Sequence, residues 1–247
     1  MLTPSSKPPY WQPYCGAAPD PAHWLTHWNW DPALLVVVLG LLAIGLIADR
    51  AHARSQIGAA AVMILLFVSP LCALGSALFL ARSAHHLALV LVLAPLLAMA
   101  IGPRAFPRTS VTLATIVQTA CLWLWHVPAF YDRALANDGV FWAMQLSITA
   151  TAAIWWVTLR GAGALEAATG LLAQMVQMGV LGALLVFAGR AFYLPHAVTT
   201  TVWGLTPLED QQLAGLMMWV VGGGAYLLIA SALLWKALAP APAPRSA

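Results

Sequence analysis

The sequence predicts an all-α, polytopic membrane protein with seven transmembrane helices in one bundle. Three observations point to this fold class. Of the 247 residues, 62% are hydrophobic and only 8% are charged, and the mean hydropathy is +0.82. Seven long apolar runs also lack Asp, Glu, Lys and Arg. These runs are interpreted as helices, because open strand edges would leave backbone groups without hydrogen-bond partners inside a bilayer.

A transmembrane helix needs roughly 20 apolar residues, and every run except the first reaches that length. The shorter first run is preceded by Trp28 and Trp30, which can anchor it at the membrane interface. The runs cover residues 33–48, 57–81, 83–103, 109–131, 139–159, 167–189 and 211–235. The chain is therefore divided into an N-terminal tail (1–30), a seven-helix domain (31–238) and a Pro-rich disordered tail (239–247).

The composition excludes several classes of protein. A soluble domain usually carries about 25% charged residues, so a soluble enzyme and a disordered tail protein are excluded. The pI near 9.0 does not indicate a nucleic-acid partner, because the basic residues are scattered rather than clustered. Cys15, Cys72 and Cys121 are too few and too far apart for a disulfide framework.

The basic residues predict the orientation, since cytoplasmic segments are rich in Lys and Arg. With the N-terminus outside and the C-terminus inside, seven basic residues lie on the inner side and four on the outer side. The inner set is Arg50, Arg54, Arg104, Arg108, Arg160, Lys236 and Arg245, and the outer set is Lys7, Arg82, Arg133 and Arg190. The N-terminal tail is then periplasmic and the C-terminal tail cytoplasmic.

This orientation places six of the seven histidines at the outer face. Imidazole is the commonest metal ligand, and His85, His86 and His126 fall near the outer ends of neighbouring helices. Thioethers favour Cu(I), and Met217 and Met218 lie in the same half, whereas Met99, Met175 and Met178 lie towards the inside. Taken singly, each histidine can be explained as a polar side chain that forms hydrogen bonds at a solvated helix end. Each methionine can likewise be explained by packing alone.

No acid or base occupies a fully intramembrane position in this prediction, which disfavours a proton pump or ion-coupled carrier. The start of the seventh helix is distinctive, with Pro207, Glu209, Asp210 and Gln211 in close succession. Acids at a helix N-terminus complement its dipole and cap free amides. The alternative interpretation is a fixed negative site on the outer surface that binds a cation or a partner.

Four segments resemble the CtaG family of caa3-type cytochrome c oxidase assembly factors. The most specific begins the seventh helix, Asp210-Gln211-Gln212-Leu213-Ala214-Gly215-Leu216-Met217-Met218-Trp219. The others are His85-His86-Leu87 through Ala94-Pro95-Leu96-Leu97, Trp125-His126-Val127-Pro128, and Leu181-Gly182-Ala183-Leu184-Leu185 followed by Tyr193. The resemblance covers roughly residues 24–236. It departs from the family pattern where Arg82, Trp142 and Leu146 stand at positions that are often histidine.

The resemblance implies a non-enzymatic, multi-pass protein of a bacterial inner membrane that helps to mature a haem-copper oxidase. Its expected partners are oxidase subunits and the lipid bilayer, with a possible homo-oligomer and no nucleic acid. Copper is the expected metal, with His85, His86, His126, Met217 and Met218 as candidate ligands. Asp210 and Gln211 are the candidate partner-binding or site-orienting residues.

Three alternatives remain at this point. Two histidines at one depth could ligate haem axially in an electron-transfer protein. A metal or small-molecule transporter would need a continuous polar path, whereas the polar groups thin out towards the inside. A purely structural membrane scaffold would need none of the histidines.

Overall fold

The computed structural model describes residues 13–101 and 109–239, and all regular secondary structure in these ranges is helical. The all-helical character predicted from composition is therefore confirmed for the described residues. The α-helices are α1 Pro32–Ala48, α2 Ala53–Phe67, α3 Pro70–Ala77, α4 Phe79–Ala88, α5 Ala94–Ile101, α6 Val111–His126, α7 Pro128–Ala136, α8 Asp138–Gly161, α9 Ala164–Val186, α10 Pro207–Met217 and α11 Gly223–Leu238.

Four uninterrupted helical stretches are long and apolar enough to cross a membrane, namely Phe79–Ile101, Asp138–Gly161, Ala164–Val186 and Pro207–Leu238. Two bent pairs pass the same test only when each is taken together. They are Pro32–Ala48 with Arg50–Phe67, bent by 120°, and Val111–His126 with Pro128–Ala136, bent by 71°. The described residues thus contain four to six candidate spans, and the count of seven and the orientation stay predictions.

Two of the charge-free runs are not single helices, and proline explains why. The run 109–131 breaks after His126, because Pro128 disfavours helical geometry at Val127, and α7 begins there at a new angle. The run 57–81 breaks at Ser69 and Pro70 and again at Leu78, whose backbone is extended. Helix α4 consequently begins at Phe79 rather than at residue 83. Arg104, Arg108 and most of the C-terminal tail lie outside the described residues.

Several helix starts follow directly from the sequence. The Asp31 carboxylate accepts the amide of Ala33 at 2.8 Å, and Pro32 occupies the first position of α1. At α10, the Thr206 hydroxyl accepts the amide of Glu209 at 3.2 Å, and Glu209 accepts the Thr206 amide at 2.8 Å. This reciprocal pair is a capping box. Glu209 and Asp210 therefore lie in the first turn of a helix, as the helix-start interpretation predicted.

Helix α9 packs against α6, α10 and α11. Its backbone approaches α10 closely where Gly182 faces Gly215. A Cβ on Gly182 would lie 2.7 Å from the Gly215 carbonyl oxygen, and a Cβ on Gly215 would lie 2.6 Å from the Gly182 carbonyl oxygen. Both contacts are shorter than real Cβ atoms tolerate, so glycine at both positions sets the spacing of these helices.

A π-helical turn interrupts each of two long helices. Residues Leu89–Leu93 join α4 to α5, just before Pro95, which has no amide hydrogen for the Leu91 carbonyl. Residues Met218–Gly222 join α10 to α11. A Cβ on Gly222 would lie 2.9 Å from Cδ2 of Leu87, so the glycine lets this turn pack tightly against α4. The glycine-rich stretch therefore combines a packing notch with a local departure from α-helix.

Residues 13–31, here called the N-segment, pack across one end of the bundle. A disulfide joins Cys15 to Cys72 of α3. The Tyr14 hydroxyl donates a hydrogen bond to Asp31, and the Trp203 indole donates to the Pro19 carbonyl at 3.1 Å. The sequence predicted no disulfide framework, yet these two cysteines form one disulfide, because the N-segment folds back onto α3 across a separation of 57 residues. We call this end the N-segment end.

Candidate functional site

Helix α4 brings two of the candidate ligands and a basic residue into the core near the N-segment end. Arg82, His85 and His86 are all buried on this helix. The residue before it, Leu78, has no side chain that can cap the free amides of the first turn. Asp210 supplies the cap from α10, accepting the amides of Phe79 at 2.7 Å and Leu80 at 3.1 Å. Asp210 is fully buried, so it does not form a negative site on the surface.

Two histidines from different helices face each other. The ring centroids of His86 on α4 and His126 on α6 are 6.0 Å apart. Nδ1 of His126 lies 2.7 Å from the Leu122 carbonyl oxygen, which can only accept, so this nitrogen carries the proton and Nε2 keeps a free lone pair. Within the described part of the chain, Nε2 of His86 is buried without a hydrogen-bond partner. Such a pair of imidazoles can hold a metal ion.

A small cavity of about 10 Å³ lies against both rings. That volume is close to one water-sized sphere. Four helices contribute polar or soft side chains to its wall: His86 from α4, His126 from α6, Met178 from α9 and Met218 from the π-helical turn after α10. The rest of the wall is Ser83, Leu87, Val90 and Leu122. No carboxylate and no cysteine lines the cavity.

The structure thus brings together His86, His126 and Met218 of the five predicted ligands. His85 is directed elsewhere, with its ring edge-on against Phe67 at 4.9 Å, and both of its ring nitrogens lack partners. Met217 does not line the cavity. Among the residues described, no three His, Cys, Asp or Glu side chains are grouped as metal ligands. Metal binding by any of these residues stays a prediction.

Met178 is the lining residue that the sequence did not suggest. It was placed towards the inner side, yet it lies only eight residues before α9 ends at Val186, a rise of about 12 Å. The charge-free run extends to residue 189, which made Met178 look deeper than it is. Counting helical rise from the N-segment end of α9, rather than from the charged residues, would have pointed to it.

Arg82 lies in the core rather than in the outer connection where the sequence placed it. Its guanidinium carbon is 5.2 Å from the Phe141 ring centroid, and a Cβ on Gly75 would lie 2.9 Å from that carbon. Its three guanidinium nitrogens have no hydrogen-bond partner among the described residues. The only salt-bridge contacts found there join His23 to Asp20 and His52 to Asp49, and neither involves Arg82. Arg82 and Asp210 are thus buried charged residues within candidate spans, whereas the sequence placed both in outer connections. Their depth in the membrane stays a prediction.

The connection between α9 and α10 covers the site from the N-segment end. The Tyr193 hydroxyl donates to the His126 carbonyl at 3.0 Å, and its ring stacks on Phe79 with centroids 3.9 Å apart. His196 Nε2 lies 2.7 Å from the Tyr131 hydroxyl. Burial lowers the pKa of His196 to about 3, so its imidazole is neutral and accepts this hydrogen bond. Burial likewise raises the pKa of Tyr193.

Gln211 fixes the path of that connection. Its side-chain oxygen accepts the Phe192 amide at 2.7 Å, and its side-chain nitrogen donates to the Leu185 carbonyl at 3.3 Å. Asp210 and Gln211 are adjacent in sequence but bind different elements. Asp210 binds the start of α4, and Gln211 binds the connection that covers the site. Both contacts are internal, and both orient segments that carry or cover the cavity.

Comparison with protein families gives one match. The model of the cytochrome c oxidase caa3 assembly factor family matches residues 49–239. The chain belongs to this caa3-type assembly factor family. The family predicted from the sequence is therefore confirmed, and the match spans every helix from α2 to α11. No curated protein and no solved structure gives a significant match. A caa3-type assembly factor acts in the building of an oxidase, and its candidate spans are those of a multi-pass membrane protein.

Proposed function

We propose that this caa3-type assembly factor holds copper for a haem-copper cytochrome c oxidase at the periplasmic face of a bacterial inner membrane. One observation carries the proposal. His86 and His126, from two different helices, line the same ion-sized cavity, and each has an Nε2 atom without a hydrogen-bond partner or with a free lone pair. Copper is here a cargo that the oxidase requires, rather than a cofactor of a reaction on this chain.

The chemistry of the donors fits copper. Neutral imidazole is a good ligand for copper ions, and the hydrogen bond from His126 Nδ1 to Leu122 fixes the tautomer that presents Nε2. An unpartnered buried nitrogen is uncommon in folded proteins, and a bound ion accounts for the one on His86. The same wall also has sulfur atoms from Met178 and Met218.

The size of the cavity disfavours the haem alternative. A haem needs a slot for its whole macrocycle between two axial ligands, whereas this cavity has room for about one small sphere. A transporter also lacks support at this site. Leu87, Val90 and Leu122 form much of the wall, and these side chains offer an ion no ligand for further passage.

The periplasmic placement rests on charge and on the disulfide. Disulfides persist in the bacterial periplasm and are rare in the cytosol, and Cys15–Cys72 lies at the N-segment end. Helix α1 begins at that end and is followed at its other end by Arg50, and α8 runs from there to Arg160. A turn of 120° between α1 and α2 is consistent with two separate crossings, which would give seven spans and termini on opposite sides.

The test compares oxidase maturation in a deletion strain complemented with wild type, His86→Ala, His126→Ala or the control His52→Ala. His52 is exposed and lies next to Arg50, away from the cavity. We expect wild type and His52→Ala to restore cytochrome c oxidase activity, and each cavity variant to lower it about tenfold or more at equal protein level. Added copper should partly rescue the cavity variants. Normal activity in both cavity variants would overturn the copper proposal.

A further inference from the structure

We infer that the cavity is selective for the monovalent ion Cu(I), with His86, His126, Met178 and Met218 as its four donors. This inference rests on the proposed copper cargo and adds the oxidation state and the ligand set. All four side chains line one cavity whose volume of about 10 Å³ holds a single small ion. The four donors come from four different helical segments, so only the folded bundle assembles them.

The donor set is neutral and soft. Two thioethers and two imidazoles suit Cu(I), whereas carboxylate and water oxygens suit harder divalent ions. The wall includes no carboxylate and no thiolate, and its one further polar side chain is Ser83. A divalent ion bound here would have no negative side chain to neutralise either of its two charges. Burying such an unpaired charge costs free energy. Cu(I) carries half that charge.

A buried cation on the same helix as His86 strengthens this discrimination. Arg82 precedes His86 by one helical turn, so their Cβ atoms are about 5–6 Å apart. Arg82 is fully buried and forms no ion pair with the Asp and Glu side chains of the described residues. Coulomb repulsion from its guanidinium is proportional to the charge of the bound ion. The repulsion is therefore twice as large for Zn²⁺ or Cu²⁺ as for Cu(I).

Tight packing holds the two sulfur-bearing side chains in place. A Cβ on Gly222 would lie 3.3 Å from Cγ of Met178, so the π-helical turn that carries Met218 packs directly against Met178. Both methionines are buried, with 1% and 2% of their surface exposed. Their flexible side chains would otherwise adopt many rotamers. The packing of this turn reduces that freedom and keeps both residues at the cavity wall.

The experiment measures metal binding to the purified full-length protein in detergent. Cu(I) affinity is determined by competition with bicinchoninate, with ascorbate as reductant so that the Cys15–Cys72 disulfide stays intact. Zn²⁺ binding is determined by equilibrium dialysis. A Cys121→Ser background excludes the free thiol. We expect one Cu(I) per chain, no stoichiometric Zn²⁺, and sulfur as well as nitrogen neighbours in the copper X-ray absorption spectrum.

Met178→Leu and Met218→Leu keep volume and apolar character, so they remove the sulfur with little change in packing. Each should weaken Cu(I) binding about tenfold or more, while the adjacent Met217→Leu should leave it unchanged. Unchanged affinity in both cavity variants, or Zn²⁺ binding as tight as Cu(I), would overturn this inference yet leave the copper cargo standing. A wild-type protein that binds no copper but is still required for oxidase activity would instead refute the copper part of the proposed function.

Discussion

The buried carboxylate of Asp210 accepts the backbone amide of Phe79 across 131 positions of sequence, with an oxygen–nitrogen distance of 2.7 Å. This contact joins the start of α10 to the start of α4. Helix α4 carries His86, and the segment that continues α10 carries Met218. A single carboxylate thus fixes the relative position of two of the four helical segments that line the cavity.

Asp210→Ala should destabilise the protein and weaken its copper site together. Removal of the carboxylate leaves the Phe79 and Leu80 amides without their partner, at a cost of about 1–3 kcal/mol. Thermal unfolding in detergent and Cu(I) competition measure the two effects. The neighbouring Glu209→Ala is the control, because Glu209 is exposed and caps only its own helix. Equal Cu(I) affinity in Asp210→Ala and wild type would contradict the positioning role.

Gly182→Ala should lower the thermal midpoint strongly. The added methyl group would meet the Gly215 carbonyl oxygen at 2.7 Å, so α9 and α10 must separate. Overpacking of this kind costs about 1–3 kcal/mol. Gly224→Ala is a matched control, since a Cβ there meets no atom within 4 Å and alanine is the better helix former. A midpoint for Gly182→Ala equal to that of Gly224→Ala would show that the helices are not in backbone contact.

His196 should make the protein sensitive to acid. Its imidazole is neutral in the folded state, with a pKa of about 3, whereas the unfolded chain binds a proton below about pH 6.5. Its contribution to stability is therefore complete above pH 6.5. It falls by about 1.4 kcal/mol for each pH unit between 6.5 and 3. Thermal midpoints across this range should decline less in His196→Gln, and parallel pH profiles of the two proteins would contradict this account.

Arg82→Gln should weaken the discrimination between monovalent and divalent ions. The substitution removes the buried positive charge one turn from His86 and leaves all four proposed donors in place. We expect Zn²⁺ affinity to rise about tenfold or more, since a charge at this distance changes ion binding by at least about 1.4 kcal/mol at an effective dielectric constant near 20, and Cu(I) affinity to change less. Equilibrium dialysis of both metals against both proteins gives the ratio. An unchanged ratio would assign Arg82 a packing role only.

Composition was enough to predict the fold class, because a chain with so few charges can bury its apolar surface only in lipid. The helix boundaries were harder to predict. A charge-free run does not reveal where a helix breaks if the residues on both sides of the break are apolar. Pro70 and Pro128 introduce breaks of this kind. The buried Arg82 was missed for a related reason. A charge was taken to mark a loop, whereas Arg82 lies in the first turn of α4, within the core.

The histidine pair was partly predictable, since His86 and His126 were expected at one depth and do face each other. The position of Met178 at the cavity wall was not predictable, because it depends on where α9 ends and on the close contact between Met178 and Gly222. The disulfide was also hidden from the sequence. Cys15 and Cys72 are 57 residues apart, and only the path of the N-segment across the bundle brings them together.

That disulfide has a consequence for the order of events during synthesis. Cys15 leaves the ribosome first, but its partner follows only after α1 and α2 have been translated. The bond therefore cannot close before α1, α2 and the start of α3 have been made. Until then the N-segment is attached at one end only. Once the bond closes, residues 15–72 form a covalent loop that ties the N-segment to α3.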